Sequence, residues 1–164
     1  MKIKDCRITD NYVFFWGSVF SNWYPCIFMC EDKRFNNSEQ AFMWMKAKFF
    51  KDDEIAAAIL AETNPRYAKA LGRKVKGFQA EPWMVNGYLF MIEANHAKFT
   101  QNEDLKEILL STGDKTLVEA SPYDKIWGIG LHWDNDDVLD ESKWQGMNLL
   151  GRALMEVRNV IKKE

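Results

Sequence analysis

Residues 38–50 read SEQAFMWMKAKFF, and the reading of this stretch governs the rest of the chain. At about 100° per residue it forms a helix on which Glu39 and Lys46 lie about 20° apart. Phe42, Met43, Met45, Phe49 and Phe50 surround the two, while Gln40 and Lys48 fall on the opposite arc. A carboxylate and an amine thus sit in the apolar stripe, where burying a charge is costly unless it is paired or lines a solvated cleft. Their spacing separates them by roughly 10 Å along the axis, beyond the three- or four-residue step of a helical ion pair. Two long side chains so placed can converge on a molecule held between them. The same residues also have a plainer reading. Glu39 in the first turn complements the helix dipole, and Lys46 can carry its ammonium out to water along an apolar stem.

Working outward, helices dominate. Asn36, Asn37 or Ser38 can cap the Glu39 helix. Asp52–Glu62 is alanine-rich and helical. Asn64-Pro65 is a cap followed by a first-turn proline, and Gly72 reads as the stop of that helix. Pro82–Phe99 forms a long helix, Leu105–Leu110 a shorter one ending near Gly113, and Gly146–Lys162 a final amphipathic one. Strand signals are few and short: Val13–Trp16, Ile27–Cys30, Lys33–Phe35 after a turn at Glu31-Asp32-Lys33, and Leu117–Ala120. Ser121–Trp133 reads as loop. This order predicts an α+β fold, a single mostly helical domain over residues 1–164 with a few short strands.

Composition narrows the function. The 164 residues suffice for one sizeable core, and seven Trp with eleven Phe supply bulky packing and rings that can stack on a planar ligand. A formal net charge of −2 argues against a generic nucleic-acid binder, while leaving room for a local basic site for a phosphate. Three cysteines (Cys6, Cys26, Cys30) give neither a disulfide framework nor a zinc set, and His96 and His132 lack metal-binding spacing. No membrane-length apolar run and no signal-peptide core is present, so reduced thiols and a cytoplasmic location are expected.

Four segments combine polar groups with aromatic rings. In Phe20-Ser21-Asn22-Trp23-Tyr24-Pro25, Ser21 and Asn22 offer hydrogen bonds and Trp23 or Tyr24 a stacking face; a capped turn is the plainer reading. The second segment is the Glu39/Lys46 helix with Phe42. The third is Leu71-Gly72-Arg73 with Trp83 downstream, where arginine can hold a phosphate or simply complement a helix end. The fourth is Glu119-Ala120-Ser121-Pro122-Tyr123-Asp124-Lys125-Ile126-Trp127-Gly128-Ile129-Gly130, in which Asp124 is either a site carboxylate or the anchor of an Asx turn. Asn148, near the start of the last helix, can cap it or bind a ligand.

In this order, FSNWYPCIF, SEQAFMWMKA, ALGRKV, HAKFTQN, LVEASPYDKIWGIG and WQGMNLLGRALMEVR resemble the YbiA-like family, also called NADAR, from Phe15 to about Arg158. The resemblance implies a mostly helical α+β domain and an N-glycosidase without metal or other cofactor. Its substrates are ribosyl-amines. They are either phosphoribosylamino-pyrimidine intermediates of riboflavin biosynthesis or ADP-ribose on the exocyclic amine of guanine in nucleic acid. The second group includes antitoxins paired with DNA ADP-ribosyltransferases. Glu39, Lys46 and Asp124 match the family's catalytic positions. Ser21, Asn22, Tyr24, Phe42, Arg73, Trp83, Lys98, Trp127, Gly128 and Asn148 are expected to bind substrate, with Trp127 or Trp83 on the base and Arg73 or Lys98 on the phosphate. The family more often has His where this chain has Gln40. A non-catalytic ADP-ribose or NAD-binding module is the competing expectation, disfavoured by the joint presence of Glu39, Lys46 and Asp124.

Overall fold

The computed structural model describes residues 1–164. Five short strands and six helices follow in the order β1 (Cys6–Ile8), β2 (Tyr12–Phe15), β3 (Phe28–Cys30), β4 (Lys33–Phe35), α1 (Ser38–Phe49), α2 (Asp53–Leu60), α3 (Pro65–Gly72), α4 (Ala80–Gln101), α5 (Glu103–Ser111), β5 (Thr116–Glu119) and α6 (Leu149–Lys163). The class is α+β and mostly helical, as the sequence predicts. The chain forms two compact units, Asn22–Glu103 and the pair of segments Met1–Ser21 with Asp104–Glu164. No helix is long and apolar enough to cross a membrane.

The helical unit is built round α1, which packs against α2, α3 and α4. Its start is fixed by Asn37, whose Oδ1 accepts from Gln40 N at 2.8 Å and whose Nδ2 donates to Thr63 O. Asp52 and Asn64 cap α2 and α3 in the same way. Because three helices surround α1, its residues from Ser38 to Met45 are all buried. The expectation of one apolar stripe with Gln40 on the opposite, outer arc is therefore corrected. Gln40 is fully buried, and its amide accepts from Asn36 N and donates to Ile59 O and Leu60 O. Strands β3 and β4 form an antiparallel hairpin. Its turn residues, Glu31 and Asp32, both have positive φ, the conformation a two-residue hairpin loop demands.

In the other unit, β2 is central, antiparallel to β1 and parallel to β5. Val13, Phe14 and Phe15 are all inaccessible to solvent, as expected of a strand covered on both faces. The strand β1 has no clear sequence signal. Phe14, Val118, Ala120, Ile129, Leu131 and Val138 form one core cluster. On α6 the buried residues Leu150, Ala153, Leu154, Val157 and Ile161 make a helical stripe, and the helix packs on β5. This helix begins at Leu149 rather than Gly146. Asn148 is left-handed (φ 53°), and the amides of Gln145, Met147 and Asn148 donate to Ile129, Lys125 and Gly128 carbonyls instead of starting a helical ladder.

Candidate active site

The helical unit brings Glu39, Lys46 and Arg73 into one electrostatic group. Glu39 is 7% exposed in the first turn of α1, and its amide donates to Asn22 O at 3.0 Å. Two turns later, Lys46 Nζ lies 4.7 Å from the centroid of Phe78. Burial pulls the Lys46 pKa below the ordinary lysine value; the Glu39 charge opposes this and the Arg73 guanidinium adds to it. Arg73 is exposed at the end of α3. It reaches this position because Gly72 packs against Met43 of α1, where any side chain at residue 72 would collide with the Met43 thioether.

An aromatic wall flanks the group. Trp83 is its hub, 5.2 Å from Phe42, 5.9 Å from Phe50 and 6.1 Å from Phe49 between ring centroids. Phe50 in turn meets Phe78 at 5.4 Å. Phe42 is 3% exposed, so its part is to pack the wall. Phe78, which the sequence reading missed, offers the ring that carries the Lys46 amine. Its only sequence signal is an aromatic residue set in a polar, glycine-containing stretch.

Asn22 links α4 to the start of α1. Its carbonyl holds Glu39, and its side chain meets Met91 Sδ at 3.3 Å and Asn95 Nδ2 at 3.4 Å. Asn95, also missed, is fully buried on α4 one turn before Lys98. Lys98 is fully buried as well, with its Nζ 4.9 Å from the Phe99 ring and 5.7 Å from the Tyr24 ring. Burial pushes its pKa down to about 8 against the opposing charge of Cys26. Lys98 thus belongs to the interior of the unit, whereas Arg73 is the cation open to a phosphate from solvent.

The remaining predicted residues lie in the sheet unit. Ser21 is buried and its amide closes a turn onto Ser18 O. Ser121 Oγ accepts from the amides of Tyr123 and Asp124, and Asp124 Oδ1 accepts from those of Ile126 and Trp127 at 2.9 and 2.8 Å. This double turn holds Asp124, Trp127 and Gly128 together. A Cβ on Gly128 would stand 2.9 Å from both Asp124 O and Glu119 O, so the turn closes only over glycine. Asn148 caps nothing with its side chain. Its Oδ1 accepts from Glu119 N and its Nδ2 donates to Leu117 O, tying the entry of α6 to β5. No group of three or more His, Cys, Asp or Glu side chains is arranged to hold a metal ion.

Comparison with known proteins shows the family. The model of the NADAR domain family matches residues 14–162, spanning both units. An N-glycosidase of Acanthamoeba polyphaga mimivirus is 40% identical over 163 residues, covering 92% of this chain and 96% of that one. A riboflavin biosynthesis protein of Vibrio vulnificus is 30% identical over 138 residues, 84% of this chain and 34% of that one. The N-glycosidase YbiA of Escherichia coli is 30% identical over 139 residues, 85% of this chain and 78% of that one. The NMR structure of E. coli YbiA superposes with a TM-score of 0.78 at 26% identity, over 98% of this chain and 90% of that chain.

Proposed function

Since the chain belongs to the NADAR family and is an N-glycosidase, we propose that it hydrolyses the bond between C1 of a phosphorylated ribose and the exocyclic amine of a pyrimidine. The observation that carries this reading is the half-buried Lys46 amine over the Phe78 ring, which feels the charges of both Glu39 and Arg73 and whose pKa is held down by burial. A relative named for riboflavin biosynthesis supports the choice of a phosphoribosylamino-pyrimidine.

In the proposed reaction the glycosylamine opens to an iminium as the ring oxygen takes a proton. The neutral Lys46 amine adds to C1, the Glu39 carboxylate takes the proton that the adding nitrogen loses and passes it to the departing nitrogen, and the base leaves as its free amine. Water then adds to the Lys46 iminium, the sugar departs as an aldehyde, and the lysine is regenerated. Arg73 holds the sugar phosphate by charge-assisted hydrogen bonds. Net consumption is one water per bond cleaved.

The test is product release from two substrates side by side, with Lys46→Ala as control. One is the phosphoribosylamino-pyrimidine; the other is an oligonucleotide carrying ADP-ribose on guanine. Release of ribose phosphate from the first supports the proposal. Release of ADP-ribose from the second alone transfers the same chemistry to modified nucleic acid. Activity on neither favours a binding module. Borohydride added during turnover traps the lysine adduct; its absence points to direct attack by water activated by Glu39.

A further inference from the structure

The helix α4 is apolar on two sides. On one of them Trp83 and Phe90 meet Phe49 of α1. On the opposite side Val85, Leu89 and Ile92 fall within about 60° of arc, with Met84 and Tyr88 along one flank. Val85 is 66% exposed, Met84 64% and Leu89 56%, while Tyr88 and Ile92 are half-buried. A helix apolar all round belongs in an interior, yet this second side of α4 is open to solvent. Charge is unevenly placed along it. From Ala80 to Ala97 the helix carries Glu81 and Glu93 but no lysine or arginine. Cys30 Sγ lies 4.0 Å from Glu93 Oε1, which brings the turn residue Glu31 toward Glu93. Partial burial and then the Glu31 charge raise the Glu93 pKa. The loop leading into the other end of α4 carries Lys74 and Lys76, both exposed. The helix therefore has a basic approach to its N-terminal end and an acidic pair beside its C-terminal half.

We propose that this face pairs with the same face of a second copy of the chain, the two α4 helices running antiparallel about a two-fold axis between Tyr88 and Leu89. Such a pairing sets Leu89 against Leu89 and Tyr88 against Tyr88 near the axis, and Val85 of each copy against Ile92 of the other. It lays the basic end of each helix toward Glu93 and Glu31 of the second copy, so charge is matched twice over. A parallel pairing sets Glu93 against Glu93 instead. A bilayer surface suits an apolar helix flanked by cations, whereas the charges flanking this face are carboxylates. The proposal concerns the outer side of α4 and does not depend on which ribosyl-amine is cleaved.

The test is sedimentation velocity of the full chain between about 1 and about 200 μM. The expected result is a rise from 19.2 kDa toward twice that mass. Leu89→Glu puts two carboxylates at the axis and weakens association at least about tenfold, with the circular dichroism unchanged. Introduced cysteines read the register. Chains carrying Val85→Cys and chains carrying Ile92→Cys, mixed and oxidised, form a crosslinked dimer. Val85→Cys alone does not exceed the wild-type background, because about 10 Å along the axis separates the position from its own copy, beyond a disulfide's reach. The proposal is overturned by a chain that stays at 19.2 kDa throughout, by a Leu89→Glu variant that associates like wild type, or by Val85→Cys crosslinking with itself as readily as with Ile92→Cys. Binding to anionic lipid vesicles that Leu89→Glu abolishes, with no dimer, also overturns it and assigns the face to a membrane. If Leu89→Glu loses its helicity, the wild-type mass and the crosslinks decide.

Discussion

Gly72 lies so close to Met43 that a Cβ built on the glycine falls on the Met43 thioether sulfur and 3.0 Å from its Cγ. This contact sets how near α3 comes to α1, and with it the approach of Arg73 to Lys46. Gly72→Ala gains helix propensity but overpacks a methionine that is 7% exposed. The expected net effect is a loss of about 1–2 kcal/mol. Thermal unfolding of Gly72→Ala, Met43→Ala and the double variant checks it: the two changes together should be less damaging than their sum.

Lys46 supplies a pH dependence whose sign follows from its surroundings. The neutral amine is the proposed nucleophile, so kcat should rise with pH through a pKa below the ordinary lysine value. Arg73 lowers that pKa, so Arg73→Gln moves the limb to higher pH. The same shift acts on stability. Folding disfavours the Lys46 charge, so stability rises with pH between its folded and unfolded pKa values. Lys46→Met removes this rise and abolishes turnover. A kcat profile that stays in place in Arg73→Gln would sink the coupling.

Gln40 holds two segments to the start of α1. Gln40→Leu leaves Asn36 N and Leu60 O without the partner they have here, an expected loss of about 2 kcal/mol or more. Gln40→His retains one donor and one acceptor when neutral and should be milder. Urea denaturation of the two variants ranks them.

Asn148 combines a left-handed backbone with two hydrogen bonds to β5. Asn148→Gly relieves the backbone but loses both bonds; Asn148→Ala loses the bonds and adds strain. The alanine variant should be the less stable by about 1 kcal/mol, read as a lower urea midpoint. Equal midpoints would mean the conformation carries no penalty.

Much of this was legible in the residues. Asn64 before Pro65 announces its helix by local capping, Asn37 is one of three neighbouring candidates for the cap of α1, and Glu31-Asp32-Lys33 announces a hairpin turn; such signals need only neighbours in sequence. Glu39 and Lys46 stand out because charge among apolar residues is informative whatever packs around it. The wheel misplaced Gln40 because a helical projection assumes one wet side along the whole helix, and α1 from Ser38 to Met45 has none; only near its end does Lys48 reach solvent. Gly72 ends α3 as expected, but for a contact with a residue of another helix that no local rule encodes. Asn148 looked like a cap because caps are common near helix starts; its partners, Leu117 and Glu119, lie some thirty residues upstream. The strand β1 went unseen because the alternation of Cys6-Arg7-Ile8 is too short to stand out in a polar N-terminal stretch, and its Arg7 is held by distant partners, Trp133 O and Asp136.

The parallel pairing of β2 with β5 joins residues 12–15 to residues 116–119. The helical unit, by contrast, is one unbroken run of chain. During synthesis on the ribosome, α1 to α4 have all their mutual partners before β5 emerges. The strand β2, apolar at three successive positions, must wait with one edge unmatched for that interval. Loop closure over so many residues is slow compared with local helix docking. Aggregation during expression should therefore begin at Val13-Phe14-Phe15, and early truncation products should be rescued by charge there rather than by anything done to the helices.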